Sequence, residues 1–166
     1  MDKQTKYTAQ SKSNFFENHS AMRTPVDGTI SRGNIREDTA YYQGKDKKGD
    51  FITQPLKVDL KLLTRGQERF NIYCGVCHGE TGEGDGIITQ RGLLPPPSLH
   101  EERLREKEDG YFFDIITNGK GNMQSYRHQV PVSDRWAIIS YIRALQKSQS
   151  ASLADLPEIE RKKLNR

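Results

Sequence analysis

Cys74-Gly75-Val76-Cys77-His78 is the stretch that decides how this chain folds. C-x-x-C-H is the attachment pattern of a c-type haem. Two thiols one helical turn apart can each add to one vinyl group on a haem edge. The histidine after the second thiol is then carried beneath the iron as its proximal ligand. The motif uses both cysteines of the chain and one of its four histidines. It predicts one covalent haem c, attached through Cys74 and Cys77, with His78 on the iron.

Two plainer readings fit less well. Structural zinc takes about four ligands from paired Cys/His clusters, and His19, His100 and His128 are scattered without a partner at ligand spacing. A thioredoxin-like dithiol needs a strand before the motif. Residues 60–74 read instead as a helix: Leu63, Gly66, Phe70 and Tyr73/Cys74 form a one-faced stripe, with Asp59 as N-cap. A mid-helix glycine costs about 1 kcal/mol relative to alanine. Gly66 lies on the apolar stripe, so a close helix crossing there offsets that cost.

After the motif, Gly79, Gly82, Gly84 and Gly86 give a backbone free to wrap a flat ligand. The loop lacks the lysine pattern of a phosphate-binding loop. Pro95-Pro96-Pro97 follows as a stiff bend. A metal-bound histidine usually donates its second ring N–H to a carbonyl or carboxylate, and the carbonyl of Pro97 is the expected acceptor for His78. A short polar helix is expected from Leu99 to about Arg105, another over residues 110–118 stopped by Asn118-Gly119, and the clearest over 133–147. That last helix has Ser133 as its expected N-cap. Trp136, Ile139, Ile142 and Leu145 form its apolar face, with Ile138 and Tyr141 beside them.

An electron-carrying haem usually has ligands on both faces of the iron, often His and Met. The chain has three methionines. Met1 is terminal and Met22 precedes the haem helix. Met123 follows His78 on a Gly-rich turn between two helices and is the expected second ligand. His100 and His128 are its rivals.

The chain has 166 residues, of which 33% are apolar, and a mean hydropathy of −0.85. That is thin for a self-sufficient core, and a haem supplies a large apolar body to pack around. No apolar run approaches the ~18 residues of a transmembrane helix. No signal peptide is visible, while resemblance of the motif to those of c-type cytochromes implies haem attachment outside the bacterial cytoplasm. The expectation is a leader already removed, with Met1 as an expression start. The net charge of +4 comes from the two ends, where basic residues are interleaved with acids. A solvated face is expected there, and no nucleic-acid partner.

Residues 1–57 show turn punctuation and no sustained period, with Phe15, Phe16, Ile30, Tyr41, Tyr42 and Phe51 as scattered anchors. The expected organisation is an extended N-terminal arm over 1–57, a monohaem domain over 58–147 and a polar tail over 148–166. The tail has room for a short helix from Pro157.

Taken together, a helix running into C-x-x-C-H, a proline-bearing loop, a loop methionine and a closing aromatic helix resemble a class I cytochrome c domain. The resemblance covers residues 58–147 and implies an all-α fold with an irregular N-terminal extension. It also implies that the first and last helices cross where Gly66 and Phe70 meet Tyr141.

A narrower resemblance runs through most of residues 22–147. Met22-Arg23-Thr24-Pro25-Val26-Asp27-Gly28-Thr29-Ile30, Arg65-Gly66-Gln67-Glu68-Arg69-Phe70-Asn71-Ile72-Tyr73-Cys74, Pro96-Pro97-Ser98-Leu99-His100 and Asp134-Arg135-Trp136-Ala137-Ile138-Ile139 are similar to segments of the monohaem cytochrome c subunit (ActE) of bacterial alternative complex III. That resemblance implies a subunit of a quinol-oxidising membrane complex on the periplasmic side of the inner membrane. It would receive electrons from a multihaem or iron–sulfur subunit and pass them to a terminal oxidase or soluble carrier. Members of that family are lipoproteins tethered through an N-terminal cysteine, which this sequence lacks. The chain is thus expected to be an electron-transfer protein rather than an enzyme in its own right. Two alternatives stay open: a free-standing soluble carrier, and a peroxidase-like haem enzyme with an open sixth position.

Overall fold

The computed structural model describes residues 4–33, 35–156, 158, 161 and 163. Two compact units divide between Arg36 and Glu37. Among the described residues there is no strand, only helices and isolated bridges. The fold is all-α and of class I cytochrome c type.

Within the first unit the chain doubles back through an antiparallel bridge between Lys12 and Ser20. The Arg23 guanidinium lies 4.1 Å from the centroid of the Phe16 ring and donates to Asn18 Oδ1 at 2.9 Å. Tyr7, Phe15, Val26 and Ile30 are exposed.

The second unit is built on two helices. α2, Leu60–Tyr73, starts where Asp59 accepts from the Leu62 N–H, as its sequence predicts. The last long helix, Val132–Ser150 (α7), packs across it. A Cβ added to Gly66 would lie 2.7 Å from the carbonyl carbon of Ala137 and 2.9 Å from Tyr141 Cβ, with the Ala137 oxygen nearer still. Phe70 meets Tyr141 edge-on, with ring centroids 5.4 Å apart. The expected crossing is therefore present. Its electrostatic clamp is Asp134, which takes Arg65 Nε at 2.9 Å and Nη2 at 2.8 Å and Arg69 Nε at 3.2 Å.

Between them lie α3 (Gly75–His78), α4 (Ile87–Gln90), α5 (Glu102–Arg105) and α6 (Asp109–Asn118). Gly119 ends α6, as expected, with its N–H on Ile115 O. α7 departs from expectation at its start. Pro131 takes the cap position and Ser133 lies inside the helix. The Arg135 N–H already bonds to Pro131 O, and proline's fixed φ suits the residue just ahead of a helix. The core joins Phe70, Leu99, Leu104, Phe112, Phe113, Ile116, Val130, Trp136, Ile138, Ile139 and Ile142. Trp136 is fully buried, stacked on Phe113 at 4.6 Å.

Residues 37–57, which the sequence groups with the arm, are packed into this second unit. α1, Thr39–Gln43, is capped by Asp38. Tyr41 O accepts from Trp136 Nε1 at 2.8 Å. Gln54 Nε2 donates to Trp136 O and Ser140 Oγ, while its N–H reaches Asp109 Oδ2 at 2.8 Å. The Gly110 N–H donates to Ile52 O at 2.8 Å. A Cβ on Gly110 would lie 2.9 Å from Ile52 N. The helix expected from Pro157 falls on a residue outside the described ones.

Candidate haem site

α2 gives way to the short α3 at Cys74, which ends one helix and starts the other. Cys74 N–H bonds to Phe70 O, and the Cys77 and His78 N–H groups both bond to Cys74 O, at 3.1 and 2.9 Å. Residues three and four apart on a helical turn share a face, so Cys74, Cys77 and His78 project together. Both cysteines are half-buried and unpaired by disulfide.

The glycine loop closes over the back of this turn. Gly84 N–H bonds to His78 O at 2.7 Å and Gly86 N–H to Cys77 O at 3.1 Å. A Cβ on Gly86 would come within 2.6 Å of the Cys77 carbonyl carbon, so only glycine lets the loop lie this close. Leu99 N–H bonds to Gly82 O at 2.8 Å, which fastens the proline run to the loop. Pro96 O sits directly against Gly84. The bond expected from the His78 ring to the Pro97 carbonyl is not formed. His78 Nδ1 is buried without a hydrogen-bond partner.

Met123 is half-buried and packed against the core, as are Cys74 and Tyr126. Its turn is closed by reciprocal backbone bonds with Lys120, at 2.9 and 3.0 Å. Tyr126, three residues on, lies close enough to both cysteines to feel their charge. The Met123 loop and Cys74 thus pack against the same core cluster. His128 is exposed, and His100 is engaged elsewhere, with Nε2 2.8 Å from Thr81 O.

Electrostatics favour neutral groups here. Desolvation, with Cys77 adding, pushes the Cys74 thiol up to about 12. Burial holds the His78 imidazole below its ordinary range, hence neutral and able to ligate. Desolvation, then Cys77 and Cys74, raises the Tyr126 phenol. Two thiols and an imidazole on one face and a buried ring nitrogen without a partner fit a c-type haem. Cys74 and Cys77 would hold it, and His78 and Met123 would face its iron. The group supplies reversible one-electron chemistry, while the chain supplies orientation, burial and ligand choice. Sequence reading missed Tyr126 and Arg135, which lie on or against the Met123 loop. Their bonds to Thr117, Arg127, Val130 and Ile116 leave no motif in the sequence.

The fold and this motif are similar to those of a cytochrome c domain, a class that works by haem-based electron transfer. Residues 61–142, just under half of the chain, match the family model described as cytochrome c oxidase, cbb3-type, subunit III. No curated protein matches the chain. Among solved structures, a chain of the Kuenenia stuttgartiensis reducing HAO-like protein complex is similar at 19% identity, with a TM-score of 0.49. The match covers 64% of this chain and 54% of that one, so the chain spans about half the length of that relative.

Proposed function

We propose that this chain moves single electrons through one haem c, which Cys74 and Cys77 would hold and whose iron His78 and Met123 would bind. The observation that carries the reading is the Cys74–His78 turn. It presents both thiols and a half-buried imidazole on one face, and Met123 packs against the core cluster that Cys74 also joins. Thioether ligation raises a haem potential relative to a second histidine, which suits a carrier late in a respiratory chain.

The wider reading is a monohaem subunit of a quinol-oxidising complex of the alternative complex III kind, on the periplasmic side of a bacterial inner membrane. Attachment would be through the complex and, as in the resembled family, through a lipid anchor. Electrons would arrive from a multihaem or iron–sulfur subunit and leave to a terminal oxidase or soluble carrier. Support comes from the similar segments across residues 22–147 and from the exposed Tyr7, Phe15, Val26 and Ile30. Apolar and aromatic anchors on an irregular segment suit docking onto a partner. Isolation of the tagged protein from membranes tests this. Co-purification of a multihaem or iron–sulfur subunit is expected, weakened by deletion of residues 1–36. Recovery of the haem-loaded chain alone in the soluble fraction overturns the complex reading in favour of a free carrier.

A further inference from the structure

Arg135 lies in the first turn of α7 and is 4% exposed. Its guanidinium reaches out of its own helix in three directions. Nε donates to Val130 O at 2.9 Å, Nη2 to Arg127 O at 2.8 Å and Nη1 to Thr117 Oγ1 at 3.0 Å. Two acceptors are backbone carbonyls of the segment that follows Met123, and the third is on α6. One side chain thus ties α6, the loop and α7 together. Further bonds join the loop to α6: Ser125 Oγ donates to Thr117 O at 2.6 Å, the Tyr126 N–H bonds to Ile116 O at 2.9 Å, and Arg127 Nη2 donates to Asn118 Oδ1. The Arg135 face also lies 5.5 Å from the Phe113 ring centroid.

We propose that Arg135 is a positioning residue for Met123, holding the loop closed so that the thioether stays at the iron. The inference rests on the reading of Met123 as a ligand. A planar fork can serve three separate acceptors at once, whereas an ammonium on a flexible stem cannot hold the same geometry. A closed loop also matters more to a weak thioether ligand than to the fold. Opening the loop frees a coordination position for any competing base, in proportion to the open population.

The test uses the haem-loaded protein with Arg135→Gln, Arg135→Lys, Thr117→Val and, as reference, Met123→Ala. The readouts are the Met–iron charge-transfer band of the ferric protein and the affinity of ferric haem for imidazole. Arg135→Gln should lose most of the band and bind imidazole about tenfold more tightly, a shift of ~1.4 kcal/mol. Arg135→Lys should recover part of the band, and Thr117→Val should shift both readouts a smaller amount the same way. If Arg135→Gln fails to fold, the lysine and valine variants carry the same test. A parent-like band and affinity in every folded Arg135 and Thr117 variant, with loss only in Met123→Ala, overturns the role of Arg135 alone. A parent band untouched by Met123→Ala overturns the ligand reading and this inference with it.

Discussion

Gly66 lies against the backbone of Ala137 so closely that a Cβ would sit 2.7 Å from its carbonyl carbon. The obstacle is main chain in the middle of α7, which cannot swing aside as a side chain would. This contact fixes how the helix that delivers Cys74 meets the helix that closes the domain.

The ordinary effect of Gly→Ala inside a helix is therefore reversed at this position. The substitution commonly gains about 1 kcal/mol in a solvent-facing helix. Here Gly66→Ala should lower stability, and Gly66→Val should cost about 1–3 kcal/mol by overpacking. Thermal melting of the haem-loaded protein checks it, at about 2–4 °C per kcal/mol for a chain of this size. A melting temperature equal to or above that of the parent would show that the helices do not cross at Gly66.

Much of this was legible in the sequence, for identifiable reasons. The α2 stripe, its Asp59 cap and the aromatic face of α7 are periodic or local signals, and a glycine on an apolar stripe has few explanations. Residues 37–57 had no such signal. Tyr41 contributes a backbone carbonyl, Gln54 a side-chain amide and Gly44 a close approach, all to residues far along the chain. None of these leaves a period. The Ser133 cap failed because proline two residues earlier starts the helix sooner. The Pro97 expectation rested on a general habit of ligating histidines, which could not choose among three adjacent prolines.

Truncation separates the two parts of the N-terminal segment. Removing residues 1–36 should leave haem incorporation, visible spectrum and melting temperature close to the parent. Removing residues 1–57 should destabilise the domain, since the buried Trp136 indole loses Tyr41 O, a loss of about 1–3 kcal/mol by itself. Equal melting temperatures for the two truncations would show that residues 37–57 contribute nothing to the core.

The Cys74 thiol makes a pH-dependent prediction for the chain before haem attachment. Its folded value is raised to about 12 from the ordinary 9.0. The unfolded chain thus loses this proton first as pH rises. The contribution to stability is full below about pH 9 and is lost progressively towards pH 12. Urea midpoints measured between pH 8 and 11 should fall with pH, and changing Cys74 to Ser should flatten the slope. At pH 8 the thiolate fraction, and with it alkylation of Cys74, should rise about a thousandfold on unfolding. Equal alkylation rates in folded and unfolded protein would contradict the burial of this thiol.

Replacement of the second ligand tests the site from the iron side. Met123→His should lower the midpoint potential, since a second imidazole stabilises ferric iron relative to a thioether. It should also abolish the Met–iron band. An unchanged potential and band would redirect attention to His100 or His128.

The most direct measurement is the absorption spectrum of the purified, haem-loaded protein in both oxidation states, taken before and after denaturation. The account predicts haem that stays with the chain on denaturation and a low-spin, six-coordinate spectrum in each state. The ferric form should carry a weak far-red band that disappears in Met123→Ala. Haem lost on denaturation would contradict attachment through Cys74 and Cys77, and a high-spin ferric spectrum would contradict ligation by Met123 and favour an open, peroxidase-like site.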